Sequence, residues 1–156
     1  MKSLPYSKES EESLIGQILT DSSVIDKVES YIPSDDVFYS THCREVWKAC
    51  LRLRKAHHEI NIATVNDAIP EKHKKLITPY LLSGLVSEIV TIANCTSYAR
   101  ILNQKWMLRK AIEESEKISK LSDLGSLDVI DKLQNIHTKI GGIIQQQPGI
   151  VFNLDD

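Results

Sequence analysis

The residues of this chain that could do chemistry are few, and the first are His42-Cys43 with Cys50, and His57-His58 further along. Structural zinc sites present close cysteine or histidine pairs and a second pair at a suitable distance. Here Cys43 and Cys50 lie seven residues apart on a helical pattern, which favours packed thiols, and a His42 satisfied by a hydrogen bond, over a metal site. Glu11-Glu12 and Asp35-Asp36 are paired carboxylates of the kind acid–base catalysis uses, but no nucleophile or base constellation accompanies them. Helix-start electrostatics accounts for both pairs more simply. Arg44, Lys48, Arg52 and Lys55 fall at i, i+4, i+8 and i+11, a basic line on one helix that could contact phosphates or an acidic partner. The plainer reading is a solvated face opposite Val46 and Cys50, and Lys72-His73-Lys74-Lys75 reads as a solvated loop in the same way. None of the six glycines is followed by lysine, so the chain has no Gly-Lys-Ser/Thr phosphate loop. Trp47 and Trp106 could stack on bases, yet aromatics at helical spacing usually serve a core or an interface.

The elements that must position these residues read as helices throughout. With 156 residues, 42% hydrophobic and 26% charged, the chain is long enough for one core with or without an appendage. Its net charge of −2 gives no bulk attraction to nucleic acid. Cys43, Cys50 and Cys95 are odd in number and scattered, which speaks for reduced, buried thiols in a cytoplasmic protein. Neither a signal-peptide core nor a membrane-length apolar run is present in the sequence. Leu14, Ile15, Ile18 and Leu19, then Val24, Ile25, Val28 and Ile32, recur at helical steps and predict two short helices broken near Thr20–Ser23. A third helix is expected from Thr41 to Ala56 with Val46, Trp47, Cys50 and Leu51 inward, then a short one capped by Asn61 and closed by Pro70. Pro79–Val90 reads as a buried helix through Leu82, Leu85, Val86 and Ile89.

From Asn94 the character changes. A long charged amphipathic stretch runs to about Leu121, breaks at Ser122-Asp123-Leu124-Gly125, and resumes from Ser126 to Gln147 before Pro148-Gly149. Two such helices make an antiparallel hairpin, each arm on the order of 30–40 Å long. On the second arm Val129, Ile130, Leu133, Ile136, Ile140, Ile143 and Ile144 spread over roughly 140° of the helix, wider than one antiparallel seam needs. These residues, with Leu102, Trp106, Leu108 and Ile112 on the first arm, are the expected oligomer interface; the alternative is that the arm folds back on the head.

Several short signatures occur in order. They are Pro5 with Glu9-Ser10-Glu11-Glu12-Ser13-Leu14-Ile15-Gly16, then Phe38-Tyr39-x-x-His42, and Ile60-Asn61-x-x-Thr64-Val65. Tyr80-Leu81-x-x-x-Leu85 follows, and Asn94-x-x-x-Tyr98-Ala99-x-Ile101 with Arg109 completes the series. Together they resemble the N-terminal domain of the DnaB-type hexameric replicative helicases. Val37 stands where that family has aspartate before the phenylalanine, and Asn61 replaces an aspartate that caps equally well.

The resemblance implies an all-α fold: a globular head over residues 1–92, an oligomerising hairpin over 93–147, and from 148 the start of a linker to an absent ATPase domain. It implies a non-catalytic assembly and docking domain, self-pairing to dimers and up to a hexamer built as a trimer of dimers. The partners it implies are the primase C-terminal domain and, in some systems, a helicase loader. ATP and magnesium, and the contact with DNA, would belong to the absent helicase domain, so no cofactor or metal is expected in this chain. Two other readings stay open, a self-standing phage or plasmid regulator that mimics such a domain, and a weak nucleic-acid-binding module using the basic line.

Overall fold

The computed structural model describes residues 3–123 and 126–147, and every regular element among them is helical. The helices are α1 (Lys8–Thr20), α2 (Val24–Val28), α3 (Thr41–Lys55), α4 (Ile62–Ala68), α5 (Pro79–Ser87), α6 (Cys95–Ser119) and α7 (Ser126–Gln145). Short 3-10 turns at Glu29–Tyr31, Asp35–Val37, Glu71–His73 and Lys120–Asp123 join them. The expected linker and the Pro148-Gly149 stop lie outside the described residues.

The helix starts follow from local chemistry. The Ser7 hydroxyl accepts from the Ser10 amide at 3.2 Å to open α1. Asn61 and Thr64 form a reciprocal capping box at α4, each side chain accepting from the other's backbone amide at 3.0 Å. Thr78 caps α5 with Pro79 in its first turn, where a missing amide proton costs nothing. The end of α3 is wound differently: His57 sits at φ 57, and the His58 amide reaches back to the Leu53 carbonyl at 2.9 Å. Helix α5 stops at Ser87, short of the expected Val90, and Val90 is almost wholly exposed. The run Ile89-Val90-Thr91-Ile92 is β-branched throughout, and such side chains lose rotamer freedom in a helix.

The chain divides into two units, Tyr6–Trp106 and Met1–Pro5 with Met107–Asp156. Within the first, α1 packs on α5, α3 and α2, while α4 packs on α3 and α5. Leu14, Ile15, Ile18, Val24, Ile25, Phe38, Val46, Trp47, Val65 and Leu82 form its core, with Phe38 tilted against Trp47 at 5.5 Å between ring centres. Of the expected inward face of α3, Val46, Trp47 and Cys50 are buried and Leu51 is half-buried. Leu102 and Trp106, in the first half of α6, are also buried. In the second unit the later part of α6 and α7 run antiparallel: one cavity is lined by Lys117 and Leu121 with Lys132 and Ile136, another by Met107, Ala111 and Ile118 with Ile140 and Ile144.

Candidate functional site

The residues singled out by the sequence separate into those the structure consumes and those it leaves open. The signature residues of the first unit are consumed. Glu11, 1% exposed, accepts from the Ser40 amide at 2.9 Å and ties α1 to the start of α3. The neighbouring Glu12 meets His42 Nε2 at 2.9 Å, so His42 is a packed histidine with a carboxylate partner. Gly16 lies against α5, where a Cβ would press on the Leu85 carbonyl oxygen and come within 2.8 Å of Ile89. Buried Gln17 donates to Asn94 Oδ1 at 2.8 Å, while its own oxygen has no partner among the described residues. On α6, Asn103 donates to the Tyr31 carbonyl at 2.8 Å and Trp106 Nε1 to Asp36 at 3.0 Å. In the other unit, buried Arg109 donates to the Pro5 carbonyl at 3.0 Å. Each bond satisfies a polar group that would be costly to bury alone.

The cysteines behave as apolar filling. All three are free and buried, and burial pushes the Cys50 thiol up to about 12 and Cys43 higher still. No cluster of three or more potential metal ligands exists among the described residues. Nor is any described helix long and apolar enough to cross a membrane.

Much of the basic line on α3 is engaged. Arg44 donates to the Phe38 and Tyr39 carbonyls at 3.4 Å, Lys48 lies 3.4 Å from Glu45, and Arg52 donates to the Ala68 carbonyl at 2.8 Å. Lys55 is exposed. Arg54, outside the predicted line, bridges Asp26 and Glu29 of the preceding helices. These arginines cap and tie backbone segments, a use that i, i+4 spacing alone does not distinguish from a phosphate-binding stripe.

The second unit is different. Of the expected interface residues, Leu108 is 50%, Ile130 53%, Leu133 45%, Ile140 39% and Ile144 41% exposed, while Ile112, Val129 and Ile143 are half-buried and Ile136 is buried. Leu102 and Trp106 belong to the first unit and fill its core. Ile118, not singled out from sequence, is also 46% exposed and lines an apolar cleft of about 220 Å³ with Met107, Ala111, Ile140, Ile143 and Ile144. The steps Met107, Ala111, Ser115, Ile118 carried that signal at helical spacing.

Nearer the turn, a cavity of about 340 Å³ is lined by Lys117, Lys120, Lys132 and Lys139 over Leu121 and Ile136. Lys117 pairs with the buried Glu114 at 2.8 Å, and that bond raises its proton affinity. Beside it, the Lys139 ammonium is pushed below the usual lysine range by hydrogen-bonding proximity to Lys117 and by their like charge.

A family profile described as "DnaB-like helicase N terminal domain" matches residues 3–104. The chain is 28% identical over 117 residues to the replicative DNA helicase DnaB of Buchnera aphidicola, covering 74% of this chain and 25% of that protein. It therefore spans about a quarter of that relative's length. The crystal structure of the N-terminal domain of DnaB helicase from Mycobacterium tuberculosis superposes with a TM-score of 0.78 at 23% identity, over 88% of this chain and 99% of that one. A structure of a DnaB-like replicative helicase, described with its interactions with primase, matches at TM-score 0.68 and 14% identity over 93% of this chain and 36% of that one. At these identities the two solved structures establish the all-helical fold.

Proposed function

This chain belongs to the DnaB-like helicase N-terminal domain family, and we propose on that premise that it is the non-catalytic assembly and partner-docking part of a replicative helicase. It works in the cytoplasm by pairing its hairpin with that of a second copy. Dimers then combine three at a time into the collar of a hexamer, and the collar receives primase or a loader. Nucleotide hydrolysis and DNA translocation reside in the part of the helicase that this chain does not span. The absence of any Gly-Lys pair in its 156 residues supports that division.

The observation that carries the reading is the row Ile130, Leu133, Ile140 and Ile144 on one face of α7, each at least 39% exposed. A stripe of large apolar side chains left in water favours association, at roughly 25 cal/mol for each Å² of apolar surface covered. The fold shared with a helicase characterised together with primase supports the docking half of the proposal.

Sedimentation tests the assembly half. The parent chain should form dimers or larger species in a concentration-dependent way at tens of micromolar. Leu133→Asp or Ile140→Asp would place a carboxylate in the seam, a penalty of several kcal/mol that should abolish association. The helicity of the Tyr6–Trp106 unit should survive in both variants. A strictly monomeric parent, or a charged variant that assembles as well as the parent, rules the reading out.

A further inference from the structure

Of the four lysines near the hairpin turn, Lys117 is tied to the buried Glu114, and none belongs to the apolar stripe. Lys117 and Lys120 come from the end of α6 and the turn after it, Lys132 and Lys139 from α7, and all four line one cavity. Lys132 and Lys139 are two helical turns apart on one face, with Ile136 between them forming the buried floor beside Leu121. Among the described lining residues there is no carboxylate; the adjacent Glu114 pairs with Lys117 and also acts on Lys139, so four ammonium groups share one neighbouring partner. A chain of net charge −2 thus concentrates positive charge at one place, around an apolar pit.

We propose that this cavity is a docking site for an acidic protein segment that places an apolar side chain on Leu121 and Ile136 while its carboxylates meet the lysines. The inference deepens the docking role proposed above and rests on it. The chemistry selects a peptide over a nucleic acid. Lysine ammonium groups are point charges that meet phosphates and carboxylates alike, so the choice rests on what surrounds them, and sites for single-stranded nucleic acid add aromatic rings for base stacking. The cavity has no aromatic ring among its described lining residues, and beneath its lysines lie the aliphatic Leu121 and Ile136. The volume of about 340 Å³ suits one or two aliphatic side chains and excludes little else. Lys139 stays depressed by its closeness to Lys117 even with Glu114 nearby, so a further carboxylate at this place would relieve a repulsion the free chain carries.

Binding of a short fluorescent peptide of glutamate and leucine to the full chain tests this by anisotropy, beside a glutamate-only peptide of equal charge and a labelled oligothymidylate. The mixed peptide should bind at least about fivefold tighter than the glutamate-only peptide, since only it fills the pit. The double variant Lys132→Gln/Lys139→Gln should weaken it by about tenfold or more, with unchanged helicity, because both side chains are exposed. Leu121→Ala should weaken the mixed peptide and leave the glutamate-only peptide unaffected. Equal affinity for the two peptides, tighter binding of the oligothymidylate, no binding of any peptide, or indifference to the lysine variant would each overturn the proposal. Sedimentation of the same lysine variant keeps the two readings apart: the apolar stripe is intact in it, so assembly should persist whatever the peptide does.

Discussion

The unit Tyr6–Trp106 and the hairpin from Met107 use similar residue types to opposite ends. In the first, even charged and polar side chains are turned inward and bonded: Glu11 to Ser40, Gln17 to Asn94, Asn103 to Tyr31, Trp106 to Asp36. In the hairpin, aliphatic side chains as large as Ile130 and Leu133 stay half in water, and four lysines line one cavity with no carboxylate among its described lining residues. Side chains so bonded tie the first unit to itself. Apolar surface left in water adds little to the hold of a fold, so the two should respond differently to the same kind of substitution.

The largest difference should appear on truncating a large side chain. Trp47→Ala removes a ring that is 2% exposed and packed on Phe38, and is expected to cost about 3–5 kcal/mol, enough to consume much of a small domain's stability. Ile144→Ala in the hairpin, 41% exposed, should change monomer stability by less than about 0.5 kcal/mol. Denaturant unfolding of both variants, at concentrations that keep the parent monomeric, makes the comparison. Equal losses would mean that Ile144 is already covered within its own chain, and the contrast between the two units would fail.

Much of this organisation is legible in the sequence, and where it is not the reason is physical. Helical periodicity places α1, α3 and α4 closely, and Asn61 announces the cap of α4, because those signals are local; the reciprocal part played by Thr64 is seen only in the structure. The end of α5 is overrun because Ile89 and Val90 continue an apolar pattern while their β-branching opposes the helix. Periodicity also groups Leu102 and Trp106 with the hairpin residues, although they fill the first unit, since an apolar face does not name what covers it. Buried Glu11, Gln17 and Arg109 run against composition, which assigns such residues to the surface unless paired, and their partners lie 29, 77 and 104 residues away. The lysine cavity is invisible for the same reason: its two pairs come from opposite sides of a turn.

A second contrast is expected from glycine. Gly16 is held to hydrogen by the close approach of α5, so Gly16→Ala would force the Leu85 backbone and Ile89 away from α1. Overpacking of this kind costs about 1–3 kcal/mol, more than the helix-propensity gain of alanine returns. A lowered midpoint in thermal unfolding, without loss of helicity at low temperature, is the expected readout. An unchanged midpoint would show that α1 and α5 can part without penalty and that the signature glycine does no packing there.

The same substitution on the hairpin should have the opposite sign and the smallest size. Gly142 lies inside α7 with nothing within 4 Å of where a Cβ would stand, so alanine meets no obstacle. Glycine in a helix interior costs roughly 0.5–1 kcal/mol relative to alanine, through the backbone freedom it gives up on folding. Gly142→Ala should therefore stabilise α7 by about that amount in the monomer, seen as a two- to fivefold (roughly) increase in hydrogen-exchange protection of the amides around it. The assembled state adds a second test, because Gly142 stands two residues from both Ile140 and Ile144 and so on roughly the opposite face of α7 from the stripe proposed to meet a second copy. Alanine should therefore raise helix protection in the monomer and leave association unchanged. Weakened association would mean that the seam reaches round to the Gly142 face and is wider than the row from Ile130 to Ile144. A loss of protection in the monomer would mean that Gly142 is covered within its own chain, and the hairpin would then resemble the first unit more than it differs from it.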